Sequence, residues 1–434
     1  MARITKRKTL AFAGALTVAA LALAGCSGSG SDSGSGGDTL KLWHYESEDS
    51  AMGKAWNEAI KVFEKETGAK VEFEEKSFEQ IQKTASQVLD TDAAPDLMEF
   101  NKGNATAGFL ASTGLISDIS DAVDEYGWAD KLAPSLQTTA KYDENGVMGG
   151  DTWYGIPNYG EFVGVYYNKD AFAAAGLEIP TTYDEFVKVL DAFVAKGITP
   201  LAEAGAEYPL GQLWYQLALS KADRSFVDDY QLYKNPVDWQ GPEISYATDT
   251  LKEYVDKGYI AGDVSSVKAE DAGVSFINGT APIFVSGSWW YGRFVQEATG
   301  FDWTMTAFPG SDLSLGSSGN LWVVPENAAN KDLAYTFIDI TMRPEIQAII
   351  GNNGGLPVAA DPSDITDPKS QELISTFNGI LDADGLSFYP DWPAPGFYDV
   401  IVQELQGLVT GAQDAATTNA NLGAQYEEGT ADYR

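Results

Sequence analysis

The chain has 434 residues, of which 63 are acidic and 28 basic, giving a formal net charge of −35 at pH 7. Such a surface repels nucleic acids, anionic lipids and anionic solutes. It suits a protein that captures a neutral or cationic small molecule, although acidity also serves solubility alone. The single cysteine, Cys26, and the single histidine, His44, are too few soft ligands for a zinc or haem site. We therefore expect no metal and no cofactor.

The first 25 residues have the pattern of a signal peptide. Four basic residues precede an apolar run over residues 10–23, which is too short to span a bilayer comfortably. Leu23-Ala24-Gly25-Cys26 matches a bacterial lipobox and predicts cleavage before Cys26 and lipidation of its thiol. An ordinary secretory cleavage site beside a chance cysteine is the alternative. The lipobox is favoured because it gives the only sulfhydryl of the chain a use.

A tether and then the folded body follow the leader. Residues 27–37 contain only Gly, Ser and one Asp, a composition that predicts a flexible coil spanning roughly 20 Å on average. The folded body is expected to begin near Asp38. Removal of residues 1–25, which include four basic and no acidic residues, lowers the formal charge to −39.

Strand and helix patterns alternate at the start of this body. The sequence predicts strands over residues 39–43, 70–74 and 94–100, and helices over residues 52–67 and 77–89 and from residue 106. This alternation is typical of a parallel α/β sheet. Ligands of such sheets bind beyond the carboxyl ends of the strands. The loops at residues 44–49 and 100–104 are therefore candidate ligand loops.

The stretch 154–186 carries the strongest local signals. After Pro157, Val163, Val165 and Tyr167 alternate with neighbouring residues in the manner of a strand. A helix is expected to end at Gly176, and Thr182 with Glu185 forms a capping box for the next helix. Further helices are predicted over residues 212–220, 242–257, 331–340, 344–350 and 400–408.

This same stretch resembles the first hinge of the bacterial extracellular solute-binding proteins of ABC importers. It is most similar to their carbohydrate-binding family 1, which includes maltose-binding protein. The family pattern is y-G-I-P, then Y-Y-N-K-D-x-F-x-x-A-G-L-x-x-P-x-T-x-x-E-F, and residues 154–186 match it almost throughout. Residues 276–290 match a second pattern, f-x-x-G-x-A-A-M-x-x-x-G-x-W, except that Pro282-Ile283 replace the usual Ala-Met. Residues 354–358 match a family turn.

The resemblance implies a periplasmic-binding-protein-like α/β fold with two lobes, a three-segment hinge and a ligand in the interlobe cleft. The expected N-terminal lobe comprises residues 38–158 and 316–365, and the C-terminal lobe residues 161–312 and 368–434. Crossings are expected near residues 158–162, 309–318 and 357–368. The resemblance also implies a monomer without catalytic activity that delivers a short neutral oligosaccharide to an ABC permease. With the lipobox, it implies the extracellular face of a Gram-positive cell membrane.

Sugar binding needs aromatic platforms for C–H faces and polar groups for hydroxyl edges. Three consecutive aromatic residues, 289–291, cannot all face one core, whereas a single tryptophan alone is more often a core residue. A proline-rich loop carries residues 391 and 392, which could equally pack on the surface, and residue 161 could equally form a hinge salt bridge. The predicted ligand-binding residues are Glu46, Ser47, Glu48, Asn101, Asn104, Glu161, Trp214, Trp289, Trp290, Tyr291, Asp391 and Trp392, with Tyr45 and Asn320 as weaker candidates.

Two other functions compete with sugar import. A secreted, lipid-anchored glycoside hydrolase would use two carboxylates, which the composition does not exclude, but it would not need the hinge sequence. A binder of metal, peptide or anions is disfavoured by the few histidines and arginines, and no G-x-S-x-G elbow of a serine hydrolase occurs. Residues 143–146 and 382–385 faintly resemble calcium loops but lack the twelve-residue ligand spacing, which favours simple turns.

Overall fold

The computed structural model describes residues 39–433. Cys26, the predicted leader and the predicted tether lie outside these residues. Within them, no helix combines the length and apolarity required to cross a bilayer.

Twelve strands and seventeen α-helices make up this part of the chain. The strands are β1 (Thr39–His44), β2 (Lys70–Glu75), β3 (Leu97–Phe100), β4 (Lys141–Tyr142), β5 (Thr152–Trp153), β6 (Ile156–Pro157), β7 (Gly160–Asn168), β8 (Leu201–Ala202), β9 (Ile283–Gly287), β10 (Trp303–Thr306), β11 (Gly316–Ser318) and β12 (Leu321–Val323). The helices are α1 (Ala51–Thr67), α2 (Phe78–Val88), α3 (Phe109–Ser112), α4 (Ser120–Tyr126), α5 (Pro134–Gln137), α6 (Lys169–Ala175), α7 (Tyr183–Val194), α8 (Pro209–Leu219), α9 (Arg224–Leu232), α10 (Pro242–Asp256), α11 (Ala269–Ile277), α12 (Tyr291–Glu297), α13 (Lys331–Thr341), α14 (Pro344–Asn352), α15 (Pro368–Asp382), α16 (Phe397–Val409) and α17 (Ala415–Gly429).

The first sheet has the strand order β2-β1-β3-β12-β6. β1 pairs in parallel with β2 and β3, as the alternation of strands and helices predicts. β12 adds to β3 antiparallel, and β6 adds to β12. α1 begins where the Ser50 hydroxyl accepts from the N–H of Gly53, and it ends at Gly68, whose φ of 73° suits glycine. The Ser50 cap therefore sets where the loop after β1 ends and α1 begins.

The second sheet has the order β10-β7-β9-β8, and β11 also pairs with β7. Every residue of β7 is buried, which explains its run of apolar and aromatic side chains. The local predictions here are confirmed. The strand follows Pro157, α6 ends at Gly176 with a φ of 71°, and both hydrogen bonds of the Thr182–Glu185 capping box are present.

The two sheets belong to two lobes, as predicted. The chain passes from the first sheet to the second between β6 and β7, and it returns between β11 and β12. This return follows Ser318, because β11 still pairs with β7. A third passage follows α14, which packs against α1, and precedes α15, whose Phe377 stacks on Phe162 of β7.

Some local structure differs from the sequence prediction. The helices α4, α5, α9, α11, α12, α15 and α17 were not predicted. The helix predicted from Thr106 is instead a π-helical turn over Asn104–Gly108 followed by the short α3. Gly103 precedes this turn with a φ of 114°, a conformation that interrupts the approach to a regular helix. The Asp143 carboxylate accepts from the N–H groups of Asn145 and Val147, which makes residues 143–146 a turn.

Candidate ligand-binding site

A buried ion pair lies where the first lobe meets β7. Lys102 follows β3, and its Nζ lies 2.5 Å from Oε1 of Glu161. The two side chains are only 3% and 7% exposed. Nζ also lies 3.4 Å from Oδ1 of Asn320, whose amide donates to the Tyr159 hydroxyl at 2.7 Å. Glu161 is the second residue of β7, directly after the chain passes from the first sheet to the second. Lys102 was not predicted, although it is the only basic residue of its loop.

Two aromatic rings cover the Lys102 ammonium. Nζ lies 5.3 Å from the ring centroid of Trp392 and 5.7 Å from that of Tyr389, within the range of cation–π attraction. Trp392 is 2% exposed. Asp391 beside it is half-buried, and burial raises the pKa of its carboxyl to about 6. The loop that carries these residues therefore forms one wall of the charged cluster.

Two further carboxyl groups lie in this cluster. Burial raises the pKa of Glu46 to about 7, with the charge of Glu161 acting in the same direction and the Ser50 hydroxyl and Lys102 opposing. Burial and then the neighbouring Glu46 raise the pKa of Glu99 well above its usual value, although the Asn158 amide donates to its Oε1 at 2.9 Å. Glu99 was not predicted because candidate ligand residues were expected in the loops after the strands, whereas Glu99 lies within β3. At neutral pH such carboxyls can both donate and accept hydrogen bonds.

A cavity of about 340 Å³ opens beside the cluster, between the lobes. Ser47 and Tyr159 line it from the first lobe and the hinge, and Trp289 and Arg293 line it from the second lobe. The indole N–H of Trp289 donates to the Tyr208 hydroxyl at 3.3 Å, which holds the half-buried ring in place. Of the three consecutive aromatic residues, Trp289 is the one that faces the cavity.

Several predicted ligand residues lie elsewhere. Trp290 stacks on Phe294, and the Tyr291 hydroxyl donates to the Lys369 carbonyl, so both belong to the second-lobe core. The structure also places Trp214 in the core, because every residue of α8 is buried and its indole N–H donates to Thr248.

The remaining candidates differ in their access to the cleft. Glu48 is exposed and does not line the cavity, whereas Asn101 is buried at the carboxyl end of β3. Tyr45 is half-buried, and its hydroxyl has no hydrogen-bond partner among the described residues. Asn104 uses both ends of its amide for contacts with protein groups. The structure therefore gathers Glu46, Ser47, Glu161, Trp289, Asp391 and Trp392, together with Tyr45 and Asn320, around the cluster and the cavity.

Glu203 is a second-lobe carboxyl that the sequence analysis missed. It directly follows β8 and is 5% exposed. Its Oε1 accepts from the N–H of Ala204 at 3.0 Å, whereas Oε2 has no hydrogen-bond partner among residues 39–433. Burial raises the pKa of this carboxyl to about 8. No strand was predicted at residues 201–202, so the position of Glu203 directly after a strand is evident only from the structure.

The raised pKa of Glu203 predicts a pH-dependent stability. Between its ordinary pKa of 4.5 and about 8, the folded protein retains a proton that the unfolded chain releases. The free energy of unfolding should therefore fall as pH rises through this window, by at most about 1.4 kcal/mol per pH unit for this group. Glutamine does not titrate, so Glu203→Gln lacks this loss of stability. The difference in free energy of unfolding between the variant and the wild type should therefore shift in favour of the variant as pH rises from 5 to 8.

Urea denaturation at both pH values measures this difference. Glu48→Gln, which changes an exposed carboxylate, is the matched control and should follow the wild type. Parallel stability curves for wild type and Glu203→Gln would contradict a protonated, buried Glu203.

The family model for bacterial extracellular solute-binding proteins matches residues 47–348, which is more than half of the chain. The chain belongs to this family, whose members bind solutes and are not enzymes. The resemblance found in residues 154–186 is thus confirmed, and the glycoside hydrolase alternative is set aside.

Individual relatives and solved structures agree with this assignment. The chain is 26% identical over 372 residues to the diacetylchitobiose binding protein DasA of Streptomyces coelicolor, covering 82% of each chain. It is 31% identical over 172 residues to the multiple sugar-binding protein of Streptococcus mutans, covering 38% of this chain and 40% of that one. A chitin oligosaccharide binding protein superposes with a TM-score of 0.78 at 23% identity, covering 91% of this chain and 99% of that one. The last comparison shows a shared fold.

Proposed function

We propose that this protein is the substrate-binding component of a carbohydrate ABC importer and that it binds a short neutral oligosaccharide between its lobes. The observation that supports this most directly is that an aromatic side chain, Trp289, and buried carboxyl groups lie together at the cleft. Trp289 lines the cavity, and Glu46 and Glu161 lie in the cluster beside it. The names of the sugar-binding relatives point to the same ligand class.

The cleft chemistry suits sugar hydroxyls. Carboxylates accept hydrogen bonds from hydroxyl groups, and a carboxyl such as Glu46, with a pKa of about 7, donates one when protonated. Hydrogen bonds to charged groups contribute about 1.5–3 kcal/mol each. Because Ser47 and Trp289 line the cavity from different lobes, a ligand makes its full set of contacts only when the lobes are closed. That difference in contact energy is what shifts the population toward closure.

A thermal-shift screen tests the ligand class. Neutral di- to tetrasaccharides, including diacetylchitobiose and xylo-, cello-, malto- and galacto-oligosaccharides, should include one that raises the melting temperature. At a hundredfold excess over Kd, the stabilisation is about 2.7 kcal/mol. Chromatography should then recover that sugar unchanged. Stabilisation by amino acids or peptides and by no sugar would contradict the proposal.

We further propose that the mature protein is a monomer anchored by a lipid on Cys26 to the extracellular face of a Gram-positive cell membrane, where it serves the permease subunits. The lipobox Leu23-Ala24-Gly25-Cys26 supports the anchor. Cys26→Ala should move the protein from the membrane fraction to the medium, and Ser27→Ala should leave it in the membrane fraction. Retention of Cys26→Ala with the membrane would rule out this anchor.

A further inference from the structure

One buried carboxamide joins the two lobes directly. Asn104 is fully buried at the start of the π-helical turn after β3. Its Oδ1 accepts from the N–H of Met148 at 2.8 Å, within the first lobe. Its Nδ2 donates to the carbonyl of Gln231 at 2.7 Å and to the hydroxyl of Tyr233 at 2.8 Å, both at the end of α9 in the second lobe. Both ends of the carboxamide are therefore used by the protein itself and not by a ligand.

The same contact extends to the loop that carries Trp392. The side-chain amide of Gln231 donates to the carbonyl of Tyr389 at 2.8 Å. The N–H of Ala105, next to Asn104, donates to the carbonyl of Trp392 at 2.9 Å. Hydrogen bonds thus run from the first lobe through Asn104 to α9 and on to the loop that carries Tyr389 and Trp392.

Close packing accompanies these hydrogen bonds. Gly103 lies so near Trp392 that a Cβ on it would be 2.7 Å from Cγ of the indole. Its φ of 114° also disfavours any other residue. The backbone of the first-lobe loop therefore rests directly on the Trp392 ring. Separation of the lobes would break this packing and expose the donors and acceptors around Asn104 together.

We propose that Asn104 is a latch between the lobes, a positioning residue that holds them together without touching the ligand. In this role it sets the fraction of ligand-free protein that is closed. Because apparent affinity scales with the fraction that is competent to bind, the latch also tunes ligand capture. That second effect rests on the proposed function, whereas the effect on molecular shape does not.

Asn104→Asp tests the latch selectively. The aspartate keeps an oxygen for the N–H of Met148 but places its other oxygen against the carbonyl of Gln231, so the interlobe bond to Gln231 becomes a repulsive contact between two acceptors. Tyr233→Phe removes one acceptor of Asn104, along with a bond from the Tyr233 hydroxyl to the Pro393 carbonyl. Asn145→Asp makes the same chemical change at an exposed position of the first lobe.

Small-angle X-ray scattering of the ligand-free proteins is the measurement, with circular dichroism to confirm folding. Asn104→Asp should have a larger radius of gyration than the wild type, Tyr233→Phe a smaller increase, and Asn145→Asp none. A folded Asn104→Asp with the wild-type radius, even at a lower melting temperature, would overturn the latch and leave a local structural role. If Asn104→Asp does not fold, an unchanged radius for Tyr233→Phe overturns it. No ligand is used, so failure of the proposed function would leave this result interpretable.

Discussion

Lys102→Met is expected to lower the free energy of unfolding by about 3–5 kcal/mol, because it leaves the Glu161 carboxylate buried without its counter-charge. The pair is almost inaccessible to water, with side chains 3% and 7% exposed. Water therefore cannot replace the lost ammonium. Urea denaturation of the purified variants measures the loss.

A second substitution shows whether the loss of stability comes from the unpaired buried charge or from the lost packing of the Lys102 side chain. In the double variant Lys102→Met/Glu161→Gln the unpaired charge is gone, and most of the lost stability should return. Lys61→Met is the control at an exposed ion pair. The side chains of Lys61 and Glu58 are 71% and 44% exposed. Such a pair contributes about 0–1 kcal/mol to stability, so this variant should lose little. Equal losses in the single and double Lys102 variants would show that charge burial is not the cause.

This ion pair also shows where sequence reasoning reached its limit. The hinge sequence located Glu161 and left open whether it binds ligand or forms a salt bridge. The partner, Lys102, comes from a different strand end 59 residues away. Local patterns carry no information on which residues meet across such a distance. They were sufficient for β1 to β3, for β7 and for the helix caps, because those depend on neighbouring residues.

Trp214 illustrates a second limit. A half-buried helix has a polar face that marks its orientation, but α8 is buried on all sides. Its sequence therefore does not distinguish a core tryptophan from a ligand platform. Glu99 and Glu203 show the converse case, since a carboxylate within or directly after a strand normally indicates a solvent-facing side. In this fold both groups are buried, with Glu99 0% and Glu203 5% exposed.

Trp289→Ala and Trp214→Ala should affect different properties of the protein: the first should lower sugar affinity and the second should lower stability. Trp289 lines the cavity and is half-buried, so its loss should weaken sugar binding by about 1–3 kcal/mol through lost contact area and stacking. The melting temperature of the free protein should change little. Trp214 is fully buried in α8, and its replacement should cost about 3–5 kcal/mol of stability.

Isothermal titration with the sugar found by thermal shift, together with urea denaturation, distinguishes the two effects. Trp290→Ala is a useful third variant, because it changes the neighbouring indole that stacks on Phe294 in the core. It should behave like Trp214→Ala. Normal sugar affinity in Trp289→Ala would remove the stacking platform from the proposed site.

The strand order of the first sheet has a consequence for how the chain folds. β12 (Leu321–Val323) lies between β3 (Leu97–Phe100) and β6 (Ile156–Pro157), so this sheet cannot be completed until residue 323 is available. During vectorial synthesis or export, the early strands must wait for more than 150 later residues, which include every strand of the second sheet. Contacts of such high sequence separation slow folding. For a chain that is exported unfolded, a delay of this kind lengthens the time available for translocation before the chain becomes compact.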